Sequence, residues 1–414
     1  MEKRFIIILL AAIFTGASYA EKFDLEVYAS RFDSIPVGVL DFKLTAGETL
    51  AEDQPWQVIA DDLDFCGRFQ VVRRSEFDSA AFADANVGLY IDGEYLVEGN
   101  NVQIDCYLRD VASRELIIGK KYKGEKNVLR GMAHRYSNEV VAMLFGDKGI
   151  FESNILYVKS SGTSKNIAIM DFDGYSRGNL TNNDVVNIFP TFADQNTIIW
   201  TSYLRGKPDL YKGSILDGSS KIFIYSRAVE ASPDVSPVDG TVAYASSKNG
   251  NLDIYTCNPD GTGVKQLTAH YGVDTSPTWS PNGYQIAFTS DRSGNPHIYI
   301  MDAEGANQSR LTFEGKYADS PAWSPKGDKI AFMLMGENGR FDIYTIAPDG
   351  SNLTRVTNIP GNNEYPTWAP DGSLIGFVNT AGDRSDFYIC KPDGSRIRRV
   401  TSSGDIRMPD WSDF

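Results

Sequence analysis

A cassette of about 44 residues recurs six times: a Pro-x-aromatic step, a turn, an apolar strand carrying an aromatic, an Ile-Tyr strand and an Asp-Gly or Glu-Gly turn. The strand aromatics Tyr157, Trp200, Tyr244, Phe288, Phe332 and Phe377 are separated by 43, 44, 44, 44 and 45 residues. The turn glycines Gly174, Gly218, Gly261, Gly305, Gly350 and Gly394 keep the same pace, with steps of 44, 43, 44, 45 and 44. Runs of four to six residues rich in Ile, Val, Tyr and Phe, bounded by Gly, Pro, Asn and Asp, read as short strands. Repeated at this period, they predict a six-bladed β-propeller with four strands per blade.

A third column is displaced. Its prolines are Pro190, Pro233, Pro277, Pro321, Pro366 and Pro409; the first follows the first blade and the last lies five residues from the C-terminus. The chain end therefore supplies what the first blade lacks. Met408-Pro409-Asp410-Trp411 is expected to be the innermost strand of the blade that begins at Asn154-Ile155-Leu156-Tyr157-Val158. Such closure removes the open edges through which sheets aggregate.

The repeats occupy 151–414, so something else fills the front third of this 414-residue chain. Residues 1–20 read as a signal peptide: Lys3 and Arg4, an apolar run from Phe5 to Phe14, then Ser18-Tyr19-Ala20 as a small-x-small cleavage site. The apolar run is shorter than the ~20 residues of a spanning helix, and no Cys follows the cleavage site, so an exported chain without membrane insertion or lipid anchor is expected. Removing Glu2, Lys3 and Arg4 from 54 acidic and 40 basic residues leaves 53 and 38, a net charge of −15. That charge disfavours nucleic acid and anionic lipid as partners.

Residues 21–34 read as a flexible arm. Phe23, Leu25, Val27, Tyr28 and Phe32 stand among acids, and the alternation of the first three suits a strand that adds to a partner's sheet edge. Packing of the arm on its own domain stays open beside that reading. Residues 35–150 read as an α/β domain with a mixed sheet and two main helices. Strands are expected at Ile35–Phe42, Phe69–Val72, Glu94–Glu98, Val102–Leu108 and Ile117–Tyr122. One helix follows Pro55 and stops at Gly67; the other runs from Val128 to Phe145 and stops at Gly146.

Cysteine in an exported chain raises the question of bridges. Cys257 and Cys390 share a repeat column that elsewhere holds Met170, Gly213, Met301 and Ile346, and they lie three blades apart, so both are expected as buried thiols. For Cys66 and Cys106, both in the front domain, a bridge and two free thiols stay open.

The sequence carries no catalytic constellation. It has no G-x-S-x-G elbow, and its three histidines form no metal-binding pair. His134 reads as a satisfied helix side chain, and His270 and His297 fall on one propeller face. The Asp-Gly pairs recur too regularly for catalysis and read as hairpin turns in which Asp and Gly both tolerate positive φ. Asp171-Phe172-Asp173-Gly174 lacks the closing glutamate of a calcium loop. No cofactor and no metal are expected.

The two faces of the ring differ. One holds the uniform hairpin turns, such as Pro281-Asn282-Gly283. The other, the link face, holds the connections between blades and loops that vary: Tyr203-Leu204-Arg205, Asp291-Arg292-Ser293, Glu337-Asn338, Asp383-Arg384, and the links with Glu230, His270, Tyr271, Asp319, Glu364, Tyr365 and Arg407. Variable loops on a uniform scaffold, mixing Tyr, Arg and His with acids, point to a protein interface.

Several stretches resemble the TolB family, the periplasmic component of the Tol-Pal system, and the resemblance covers essentially the whole mature chain. They are Pro36-Val37-Gly38-Val39-Leu40, Ala60-Asp61-Asp62-Leu63 with Gly67-Arg68-Phe69, Leu129 to Phe151 including His134, Glu139-Val140 and Gly149-Ile150-Phe151, and the C-terminal Pro-x-Trp strand. The resemblance implies a non-enzymatic adaptor in outer-membrane integrity and cell division, a monomer within a larger complex. It implies that the arm binds TolA by strand addition and that the link face binds the lipoprotein Pal. Thr275 matches an interface position of the family; Glu230, His270, Tyr271, Asp319 and Tyr365 are chosen by face geometry. In the family the arm also docks on its own domains, which would couple the two sites. The alternative is a propeller enzyme, or a peptidase-associated propeller, acting on peptide or glycan. A hydrolase domain would be expected after the ring, and Ser412-Asp413-Phe414 are all that follows Trp411, so that reading needs a site in the channel.

Overall fold

A computed structural model describes residues 34–50 and 53–412. The expected signal peptide and all five apolar arm residues, Phe23, Leu25, Val27, Tyr28 and Phe32, lie outside the described residues.

The front domain runs β1 (Ile35–Leu40), β2 (Lys43–Ala46), α1 (Pro55–Phe65), β3 (Phe69–Arg74), α2 (Ser79–Asp84), β4 (Leu89–Glu98), β5 (Asn101–Asp110), β6 (Leu116–Glu125) and α3 (Leu129–Phe145). Pro55, whose fixed φ suits a first helical turn, opens α1. Val58, Ile59, Ala60 and Leu63 form its buried stripe. Gly146, at φ 75°, ends α3, its N–H donating to the Ala142 carbonyl at 2.9 Å. The sheet order is β3-β1-β4-β5-β6, with β2 pairing β4. It is parallel across β3, β1 and β4 and antiparallel from β4 to β6. A Cβ at Gly38 in β1 would stand 2.6 Å from Phe82 of α2, so the short helix packs on the sheet only over a glycine.

Behind it are six four-stranded sheets. Ile406–Trp411 pairs antiparallel with Asn154–Ser161, placing Asp410 opposite Leu156 and Trp411 opposite Ile155. The expected closure by the chain end is therefore present. The Trp411 indole donates to Ser153 Oγ at 2.8 Å, and its ring meets Phe387 of the sixth blade edge-on. All six strand aromatics are buried. Five face an aromatic on the third strand of their blade, Trp200 with Tyr211 through Phe377 with Tyr388, at centroid separations of 5.8 to 6.3 Å. Such cross-strand pairs each add about 0.5–1.5 kcal/mol beyond their area.

The front domain sits on the turn face, over the seam between the sixth and first blades. Arg68 bridges Asp147 at 2.7 Å and Asp371 of a sixth-blade turn at 2.8 Å. Arg130 joins Asp53 at 2.7 Å to Asp173 of a first-blade turn. Phe172 of that turn lies 4.9 Å from Phe65, 5.4 Å from Phe151 and 5.2 Å from the His134 ring, so one continuous core spans both parts. Beneath it, His134 Nδ1 stands 3.0 Å from both carboxylate oxygens of Asp62, which also accepts from Ser137 Oγ at 2.7 Å. Burial raises the Asp62 carboxyl above its usual range. Burial also works against the imidazolium, but Asp62 overrides it and leaves His134 raised.

All four cysteines are free and buried, which resolves the Cys66 and Cys106 alternatives in favour of thiols. Burial pushes Cys66, Cys257 and Cys390 up to about 12, far from reactive thiolates.

Candidate functional site

Each innermost strand contains its column proline. Proline has no N–H for the ladder, which an inner edge strand tolerates. The residue before each proline is left-handed: Phe189, Ser232, Ser276, Ser320, Tyr365 and Met408 have φ of 51°, 52°, 50°, 53°, 54° and 46°. The ladder shifts register there in every blade, so the six pairs are β-bulges. Together they line the central channel, a cavity of about 140 Å³. Asp410 and Asp234 tie neighbouring blades around it, accepting from Phe192 N at 2.9 Å and Trp279 N at 2.7 Å.

Two residues before each proline, side chains stand at the mouth on the link face. Here Thr275, Asp319, Glu364 and Arg407 are half-buried. Asp319 accepts from Thr289 Oγ1 at 2.8 Å, Tyr317 Oη at 3.1 Å and its neighbour Ser320 N at 2.6 Å. Burial raises Glu364, while Thr380 and Arg407 draw it back. Burial, with Glu364 and Asp319 nearby, pushes the Tyr365 phenol up to about 12.

Farther out, Tyr271 is 83% exposed, its ring 4.1 Å from His270 and its hydroxyl donating to the Arg292 carbonyl at 2.9 Å. His270 Nδ1 accepts from Gly272 N at 3.2 Å. Thr275, His270, Tyr271, Asp319 and Tyr365 thus share one face. Glu230 does not reach it. The first residue of its strand points into the blade interface, where Glu230 is 1% exposed and accepts from Ser226, so it shapes the face from beneath. Burial raises its carboxyl.

The face also holds residues that sequence reasoning passed over. Tyr225 is 73% and Phe313 68% exposed, both in blade links, and they join Leu204 of the expected variable loop, 53% exposed. Arg205 stacks on Tyr225 at 4.5 Å and Arg310 on Phe313 at 4.9 Å. An aromatic falling between an outer strand and the next inner strand was the available signal.

The Asp-Gly turns differ from expectation in detail. Only the glycine is left-handed, as at Gly261, φ 85°. The aspartate instead accepts from the amide two residues on, Asp260 from Thr262 at 2.9 Å and Asp349 from Ser351 at 2.9 Å. Among the described residues no group of three or more His, Cys, Asp or Glu side chains is placed to hold a metal.

These features define a β-propeller protein with an α/β domain seated on one face and a variable, aromatic-bearing face on the other. Residues 141–414 match the family described as the TolB beta propeller domain, and residues 23–117 match the TolB amino-terminal domain. The chain belongs to the TolB family. It is 33% identical over 287 residues to the Tol-Pal system protein TolB of Desulfosudis oleivorans, covering 65% of each chain. It is 35% identical over 216 residues to the protein TolB homolog of Chlorobaculum tepidum, covering 50% of this chain and 49% of that one. The matched stretches thus span 65% and 49% of these relatives' own lengths, and neither name is an enzyme's. The fold matches the crystal structure of TolB from Acinetobacter baumannii with a TM-score of 0.79 at 22% identity, covering 91% of this chain and 96% of that one.

Proposed function

We propose that this chain is a periplasmic adaptor of the Tol-Pal system, non-enzymatic, serving outer-membrane integrity and cell division. It binds Pal through the link face, with Thr275, Tyr271, His270, Asp319 and Tyr365 at the interface, and TolA through Phe23, Leu25, Val27, Tyr28 and Phe32 of the arm, which adds as a strand. One observation carries the reading for Pal. The front domain occupies the turn face, and the opposite face offers Tyr271, Tyr225 and Phe313 in loops that differ from blade to blade. Exposed aromatics beside arginines are the composition of interface anchors. The family membership and the names of the relatives support the Tol-Pal assignment.

Calorimetric titration of the chain from Glu21 with the soluble domains of Pal and TolA tests both halves. Thr275→Arg is expected to weaken Pal binding by about 2 kcal/mol or more and leave TolA binding unchanged. Deleting residues 21–33 is expected to do the reverse. Pal binding that survives Thr275→Arg, or TolA binding that survives the deletion, contradicts the corresponding half.

A further inference from the structure

In most blades the third strand begins with a carboxylate that a longer side chain covers. Asp342 and Asp386 each take a guanidinium at 2.6 Å, from Arg355 and Arg399. Asp253 accepts from Gln266 at 3.1 Å, and Asp209 pairs with Lys207. Arg355, Arg399, Gln266 and Arg310 occupy one column, each two residues before the threonine that caps the third strand. In the first blade the pattern breaks twice. The third-strand residue is the neutral Asn166, and the column holds Asn179, too short to reach it. The loop above is also cut down. Only Gly162-Thr163 lie between the second and third strands, against six residues in the second, third and fourth blades; the sixth blade has an equally short loop, Gly382-Asp383, but there Arg399 covers Asp386.

The result is a recess of about 450 Å³ on the link face, with Asn166 at its floor and only polar residues in its walls. Asn166 is committed to its own loop, accepting from Thr181 Oγ1 at 3.0 Å and Asn183 N at 3.2 Å. Lys159, Asn179, Asn182 and Asp184 line the recess with side chains that bond to no described residue. Lys159 and Asp184 cancel in charge, so an ion gains little there, and the absence of an apolar wall gives a hydrophobic ligand nothing to bury against. What remains is a neutral ligand rich in donors and acceptors. Asparagine amides present one acceptor and two donors, the complement of a sugar's acetamido and hydroxyl groups.

We propose that this recess, on the first-blade part of the link face and lined by none of the residues placed at the Pal interface, is a binding site for an N-acetylated amino sugar. Without a stacking aromatic the affinity is weak, in the millimolar range. The test is a ligand-observed NMR titration of the whole chain with N,N′-diacetylchitobiose and, in parallel, cellobiose. Binding of chitobiose but not cellobiose, weakened at least about tenfold by Asn179→Arg and by Asn182→Ala, is the expected result. Asn179→Arg places in the first blade the residue that three other blades already carry, so its thermal midpoint is expected to stay at the parent value; a fall would leave Asn182→Ala as the deciding variant. No chitobiose binding by the parent chain, equal binding of the two sugars, or binding unchanged in Asn182→Ala overturns the proposal.

Discussion

Ser320, at φ 53°, and its five equivalents hold a left-handed backbone in mid-strand, where a side chain costs about 1–2 kcal/mol. The bulge at each position turns the strand so that proline and the residue before it line the channel. Ser320→Gly is expected to change stability little, because relief of the steric cost is offset by glycine's greater freedom when unfolded. Ser320→Val, β-branched, is expected to lose about 1–2 kcal/mol; urea unfolding of both variants checks this. At His297 the consequence is a pH dependence. The ring is buried beside Thr312 Oγ1 at 3.2 Å, and burial, with Arg310 nearby, holds its imidazole below the ordinary range. The unfolded chain takes up this proton near pH ~6.5 and the folded chain does not, so this residue lowers stability as pH falls below that value and is neutral above it. His297→Asp places at this position the carboxylate that Asp342 and Asp386 offer to Arg355 and Arg399. Its thermal midpoint is expected to fall less than the parent's between pH 7 and 5; an equal fall contradicts the assignment.

The closing strand Ile406–Trp411 is the element on which the ring depends. Trp411 is buried, bonds Ser153 and packs on Phe387, so Trp411→Ala is expected to cost about 3–5 kcal/mol. That is a large share of the 5–15 kcal/mol typical of a folded protein, and thermal unfolding should report it as a marked drop in midpoint. This strand was legible in the sequence because the proline column is displaced by one blade from the aromatic and glycine columns. The long amphipathic helices were legible too, from Pro55, Gly67 and Gly146. Two short elements were not. β2 is exposed at all four residues and carries no alternation, and α2 is six residues long, held by its Asp78 cap and by the space over Gly38. Of the candidate site, the face was legible as the place where repeats differ. The depth of Glu230 was missed because it stands three residues before its proline, where Thr275 and Asp319 stand two before theirs, so strand alternation turns it, like Asp274, to the buried side.

Across the whole molecule, the front domain locks onto the turn face at the closure seam and leaves the link face open. Arg68, Arg130, Phe172 and the Asp62–His134 pair all lie at or beneath that seam, so the two parts share one core. The turn face also exposes an aromatic, Tyr284, away from the seam, so exposure alone does not distinguish the faces. Loop variability and the position of the front domain do. Hydrogen exchange of the chain with and without the soluble domain of Pal tests that distinction directly. Slowed exchange in the link-face segments 203–208, 225–229, 269–273 and 313–317, with the turn at 281–284 unchanged, is the result predicted; slowing confined to the turn face would contradict it.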